Sequence, residues 1–271
     1  SHRNYESVED RPYKNNIGSG WRHNFNVHVR VSSENGYIGY ADANGNFKRF
    51  SRTQSNVNGY DLYRRAPEDM TGADINALRT ERAILARRNV QSGAVEIIFP
   101  DGITCGFSAP INEQERYCRL EWFEDVSGNR ITLQYADCLA PTPVTGDPGR
   151  QTNFGRLIRV NTPAGDDRYL KFTYTGNRIS RVELCKTGDV VIKAVDYTYD
   201  TYHTLNPGET SPYPNNFLRS VVSDGNFDAK VAYEYDDGSY NGQDVGLYPS
   251  KIRDRKGNEL NINCTYGTIG T

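Results

Sequence analysis

The sequence predicts an all-β chain: a curved antiparallel sheet built by repeating one strand–turn–strand unit, with one short inserted helix. Three observations predict it. The first is a worn repeat, in which an Asp and a Gly-Asn turn lead into an alternating strand that closes on tyrosine. It reads Asp125-Val126-Ser127-Gly128-Asn129-Arg130-Ile131-Thr132-Leu133-Gln134-Tyr135 and returns from Asp254, Gly257 and Asn258 to Tyr266. The second is a set of tyrosine-bearing alternating runs: Leu170 to Tyr174, Val195-Asp196-Tyr197-Thr198-Tyr199-Asp200, and Val231-Ala232-Tyr233-Glu234-Tyr235-Asp236. The third is the turn chemistry between runs, where Gly supplies positive φ and Asn or Asp tolerates it. Such a unit cannot bury its own apolar face, so copies must stack.

In chain order, Val27, Val29 and Val31 alternate with Asn26, His28 and Arg30, the period of a strand with one covered face. Asp42-Ala43-Asn44-Gly45-Asn46 then turns the chain into Phe47-Lys48-Arg49-Phe50. The stretch from Thr71 to Arg88 is rich in Ala, Leu, Arg and Glu, and Ile75, Leu78, Arg82 and Leu85 fall near helical spacing. With Thr71 or Asp74 as a cap, this predicts a helix over about 74–88 that covers a sheet edge or opening, or docks a partner. Ala94 to Phe99 and Ile103 to Phe107 flank Pro100-Asp101-Gly102 as a hairpin. Later strands leave turns at Gly155, Gly176 and Asn216, and in them a basic residue alternates with aliphatics. Proline-bearing stretches at 140–153 and 204–216 read as excursions between strands, because the strand pattern resumes after each. The expected organisation is therefore one continuous architecture. Residues 1–118 form a lead-in with the first hairpins and the helix, and 119–271 continue the same sheet as repeats.

Composition narrows the function. Apolar residues are 36% of 271, and 19 tyrosines carry much of that share. Tyrosine has an apolar ring and a polar tip, which suits a half-buried surface. A formal charge of −2 gives no electrostatic case for nucleic acid. No apolar run approaches the roughly 20 residues of a spanning helix. Cys105, Cys118, Cys138, Cys185 and Cys264 match no zinc or redox spacing and read as scattered strand residues, with one disulfide open if the chain is exported. No cofactor motif is present.

The aspartates invite comparison with the paired carboxylates of glycosidases. Asp101, Asp125, Asp224 and Asp254 each lie within three residues of a glycine, which is what a turn requires. The Asp42 loop fails as a calcium site, since its glycine and its twelfth residue, Thr53, do not fit an EF-hand. Asp236-Asp237-Gly238 reads as a turn rather than a metal site. His2, His23, His28 and His203 form no catalytic motif, and Trp21 with His23 is expected to pack the start of the sheet. No catalytic or metal residue is assigned, and the chain reads as a non-enzyme. Tyr197 with Tyr199, and Tyr233 with Tyr235, make aromatic ladders, because strand residues two apart share a face. Those four are the candidate contacts for carbohydrate; the alternative is cross-strand packing.

The ordered motifs resemble the Rhs/YD-repeat proteins. The likeness rests on Gly155-Arg156-Leu157, on Asp125 with Gly128 and Asn129, and on strands closing in Tyr or Tyr-Asp. A lead-in of Arg3-Asn4-Tyr5-Glu6-Ser7 and Gly18-Ser19-Gly20-Trp21-Arg22-His23-Asn24-Phe25 adds to it. The resemblance covers nearly the whole chain and implies part of a hollow β-shell that encloses or displays a C-terminal effector. It further implies export or a cell-surface location. The expected partners are a downstream effector or further repeats of the same polypeptide, and cell-surface carbohydrate in adhesin-like relatives. The self-cleaving C-terminal motif with paired aspartates is lacking, so no protease function carries over. Any effector is expected beyond residue 271.

Overall fold

A computed structural model describes residues 24–32, 34–43, 46–65, 84–110, 116–136, 156–176, 178–200, 217–223, 226–240, 243–254 and 256–261. These residues form strands and turns only. They fall in two compact units, divided between Leu170 and Lys171.

In the first unit, eight strands close on themselves. They are β1 (His28–Val31), β2 (Tyr37–Ala41), β3 (Phe47–Val57), β4 (Tyr60–Arg65), β5 (Leu85–Asn89), β6 (Val95–Ile98), β7 (Thr104–Phe107) and β8 (Tyr117–Glu124). Each pairs antiparallel with the next, and β8 returns to β1 through His28↔Arg119, Val29↔Cys118 and Arg30↔Tyr117. Closure removes the edges that an open sheet would expose. Side chains of the alternate residues fill the lumen, as they can in a ring of this size. Val29, Ile38, Phe50, Tyr63, Ala86, Val95, Ile97, Phe107 and Cys118 are each no more than 2% exposed.

The repeat is attached at β8. Its first residues pair with β1, whereas Trp122, Phe123 and Glu124 pair with β9 (Arg130–Ala136). The opposite edge of β8 is taken by β7 from Arg119 to Glu124, including a bond from Ser108 N–H to the Arg119 carbonyl. One strand thus serves first the ring and then the repeat. Strand β9 passes the pairing to β10 (Arg156–Asn161).

The helix expected over 74–88 is corrected in its described part. Leu85–Asn89 is strand β5, paired with β4 and β6; residues 74–83 lie outside the described residues. The physical reason is a period of two. Ala86 is fully buried in the lumen, while Arg87 on the other face stacks over Tyr60 and pairs with Glu96. Pairing on both edges overrides the local helical propensity of Leu, Ala and Arg.

The second unit is an antiparallel succession. Strand β11 (Arg168–Thr175) leads into it, followed by β12 (Arg178–Lys186), β13 (Val190–Asp200), β14 (Phe217–Ser223), β15 (Asn226–Tyr240), β16 (Gln243–Asp254) and β17 (Glu259–Asn261). Pairing runs from β12 through to β17 in chain order. Ile179, Cys185 and Leu218 are buried in it. Arg181 bridges Glu183 at 2.9 Å and Asp196 at 2.7 Å.

Candidate functional site

Tyr197 and Tyr199 lie on β13, half-buried. The register carries Tyr197 across to Val221 and then to Val231, two residues from Tyr233 on β15. Tyr233 and Tyr235 stand opposite Ile252 and Pro249, and their side chains lie outside the described residues. The Tyr199 hydroxyl donates to the Ile179 carbonyl at 2.6 Å on the neighbouring strand. Burial pushes its ionisation well above the ordinary tyrosine range, against the pull of Arg178, with Tyr197 and Tyr174 pushing further upward. Arg178 is itself pushed down to about 10 by burial, against the opposing effect of Tyr199. Tyr199 thus reaches the strand that carries Arg178, and Tyr197 stands two residues from it on β13. The patch offers half-buried rings beside a cation, and one of its hydroxyls already has an internal partner.

The same use of tyrosine recurs in the first unit. Tyr135, which closes the repeat strand β9, donates to the Leu120 carbonyl at 2.7 Å. Tyr63 donates to the Asn35 carbonyl at 3.0 Å. The alternating basic residues also acquire a role: Arg30, Arg49, Arg87, Arg119, Arg130 and Arg159 each place a guanidinium 3.5–5.4 Å from the ring centroid of a tyrosine or tryptophan. Such stacks cover aromatic faces while leaving the charge in water. Sequence reading missed them because the partners sit on different strands; Arg130 covers Trp122 and Arg49 covers Tyr37.

The described turn aspartates act as caps. The Asp125 carboxylate accepts from Asn129 N–H (3.0 Å), from the Asn129 side-chain amide (2.8 Å) and from Ser127 N–H (2.8 Å). Asp42 holds Asn46 by both groups at 2.9 Å, and Asp254 holds Asn258 at 2.8 and 2.7 Å. Each Asp N–H also donates to its Asn carbonyl, which closes the hairpin. Gly128 and Gly257 take φ of 82° and 81°, the left-handed step that this turn needs. Asp101 caps Ile103 N–H at 3.1 Å. Asp224 lies outside the described residues.

Cys105, Cys118 and Cys185 are free thiols on β7, β8 and β12. Burial pushes Cys105 up to about 11, with Asp101 adding to it, and pushes Cys118 up to about 12. Neither is a reactive thiolate at neutral pH. His28 is buried against the Tyr117 ring. Trp21, His23, Cys138 and Cys264 lie outside the described residues. Among the described residues no group of three His, Cys, Asp or Glu is placed to hold a metal. No helix there is long and apolar enough to cross a membrane.

No protein-family profile matches the chain, and no curated protein matches it. Several solved structures match at low identity and low TM-score. TcdB2-TccC3 without its hypervariable C-terminal region matches at 13% identity and a TM-score of 0.40, over 92% of this chain and 14% of that one. The N-terminal domain of the effector protein SpvB from Salmonella typhimurium matches at 12% and 0.36, over 88% and 87%. A porin-like protein from Bacteroides uniformis matches at 10% and 0.32, over 82% and 92%. The chain thus spans about one-seventh of the length of the TcdB2-TccC3 chain.

Proposed function

We propose that this chain is a non-catalytic structural segment of an Rhs/YD-type β-shell, exported, that encloses or displays an effector carried further along the same polypeptide. The observation that supports it most is where the repeat's polar residues go. Asp125 and Asp254 fasten turns, and Tyr135 and Tyr199 fasten neighbouring strands. A catalytic site needs polar groups converging on an open cleft with unused hydrogen-bonding capacity. Here the repeated positions are engaged in construction. The test is protease protection of the natural polypeptide extended through its downstream sequence. The downstream domain should resist cleavage until the repeats are unfolded. Cleavage as fast as that of the isolated downstream domain would contradict the reading.

A second reading is carbohydrate recognition. It is favoured by Tyr197 and Tyr199 standing two apart on β13, and by the register that leads to Tyr233. Glycan-array binding that disappears in Tyr197→Ala and Tyr233→Ala would support it, and a blank array would remove it.

A further inference from the structure

One mouth of the closed ring carries a buried carboxylate outnumbered by guanidinium groups. Asp61, 7% exposed, stands opposite Arg88 in the β4–β5 register, in the row that continues to Val95 and Phe107. Both partners therefore face the lumen. Asp61 Oδ1 accepts from Asn56 N–H at 3.0 Å. Its Oδ2 lies 3.8 Å from Arg52 and 3.9 Å from Arg88, beyond hydrogen-bond length. Arg88 Nε is buried with no hydrogen-bond partner among the described residues. A third guanidinium, Arg116, donates to the Val31 carbonyl at 3.2 Å and to Asn35 Oδ1 at 2.6 Å. Arg116 meets this group through Asn35, whose carbonyl accepts from the Tyr63 hydroxyl, and the Arg88, Arg52 and Arg116 charges all pull the Tyr63 ionisation down against the upward push of burial and of Asp61. Arg52 is about one-third exposed, which leaves the group open to solvent on one side.

Three cations against one anion leave a surplus of positive charge, and a buried guanidinium N–H without an acceptor is costly. We propose that this mouth binds an oxyanion between Arg52 and Arg88. The anion accepts the unused Arg88 Nε–H and shares the Arg52 fork, and the Arg116 charge adds to the attraction. Guanidinium groups suit this because their planar donors match the oxygens of a carboxylate, phosphate or sulfate. The source is either a free inorganic anion or the side-chain carboxylates of an acidic polypeptide segment. The proposal does not depend on the shell reading.

The test is titration of the folded chain with inorganic phosphate, sulfate and a hexaglutamate peptide at constant ionic strength, with chloride as reference. Binding is read by calorimetry and by the shift in melting temperature. A saturable response to phosphate or sulfate that chloride does not give is expected. In Arg88→Gln it should weaken by about tenfold or more, as one lost charge-assisted hydrogen bond implies. Asp61→Asn should tighten it by removing the competing carboxylate. Arg130→Gln, whose side chain stacks on Trp122 elsewhere, should leave it unchanged. Tighter binding of hexaglutamate with the same Arg88 dependence identifies a polypeptide source; a response to the inorganic anions alone identifies a free anion. If Arg88→Gln does not fold, Arg52→Gln at the rim replaces it. No saturable response in the wild type, or a response unchanged in the arginine variants, overturns the proposal.

Discussion

At the scale of single residues, the Asp-x-x-Gly-Asn turn explains itself through one carboxylate. Asn129 bonds hold Asp125 below the ordinary carboxylate range, chiefly through the Asn129 side chain, and Asn258 does the same for Asp254. A depressed folded-state pKa stabilises above the ordinary value and loses its effect as pH falls through the depressed one. Asp125→Ala should therefore melt below wild type at neutral pH, and the gap should narrow through the acid range and vanish below it. A gap that persists at the lowest pH would remove the carboxylate from the explanation. Glycine at 106 has a different cause. A Cβ there would lie 2.0 Å from the Trp122 ring, which covers the glycine from the next strand. Gly106→Val should cost about 1–3 kcal/mol as an overpacking change, measured by denaturant unfolding. The turn role of Asp101, Asp125 and Asp254 was legible in their spacing from Gly, whereas Asp236-Asp237-Gly238, read as a turn, lies inside β15 and pairs with β16. The ring over Gly106 was not legible, because nothing local marks a cross-strand neighbour.

Among elements, the contrast lies between β5 and β9. Leu85 to Arg88 carries strong helix formers, and only pairing with β4 and β6 makes it a strand. Local propensity is a weak prior where both edges of a segment find partners. Strand β9 was legible because its alternation, turn and closing tyrosine agree with one another. What was hidden is how the tyrosine works. Tyr135 and Tyr199 each pin their strand to a neighbour through the hydroxyl, at 2.7 and 2.6 Å. Tyr135→Phe and Tyr199→Phe keep the ring and remove that bond. Each should destabilise by about 0.5–1.5 kcal/mol, with the unpaired carbonyl setting the upper end. Variants as stable as wild type would show that ring packing alone matters. For Tyr199 the internal bond also limits what the hydroxyl can offer a sugar.

For the whole molecule, the all-β class and the antiparallel repetition were legible, whereas the closed ring was not. Alternation says that a strand has one covered face; it does not name the strand across it. Closure joins β1 to β8, and Arg116 Nε reaches the Val31 carbonyl across 85 residues of sequence. The four tyrosines singled out were placed correctly on strands, but their spacing could not reveal which hydroxyls are used internally. The central claim is that the chain forms wall around an effector. Electron cryomicroscopy of the natural polypeptide, extended through its downstream sequence, tests it most directly. The account predicts these strands continuing into a shell with density for the downstream segment inside. A map with the downstream domain outside, in solvent beside these strands, would contradict it.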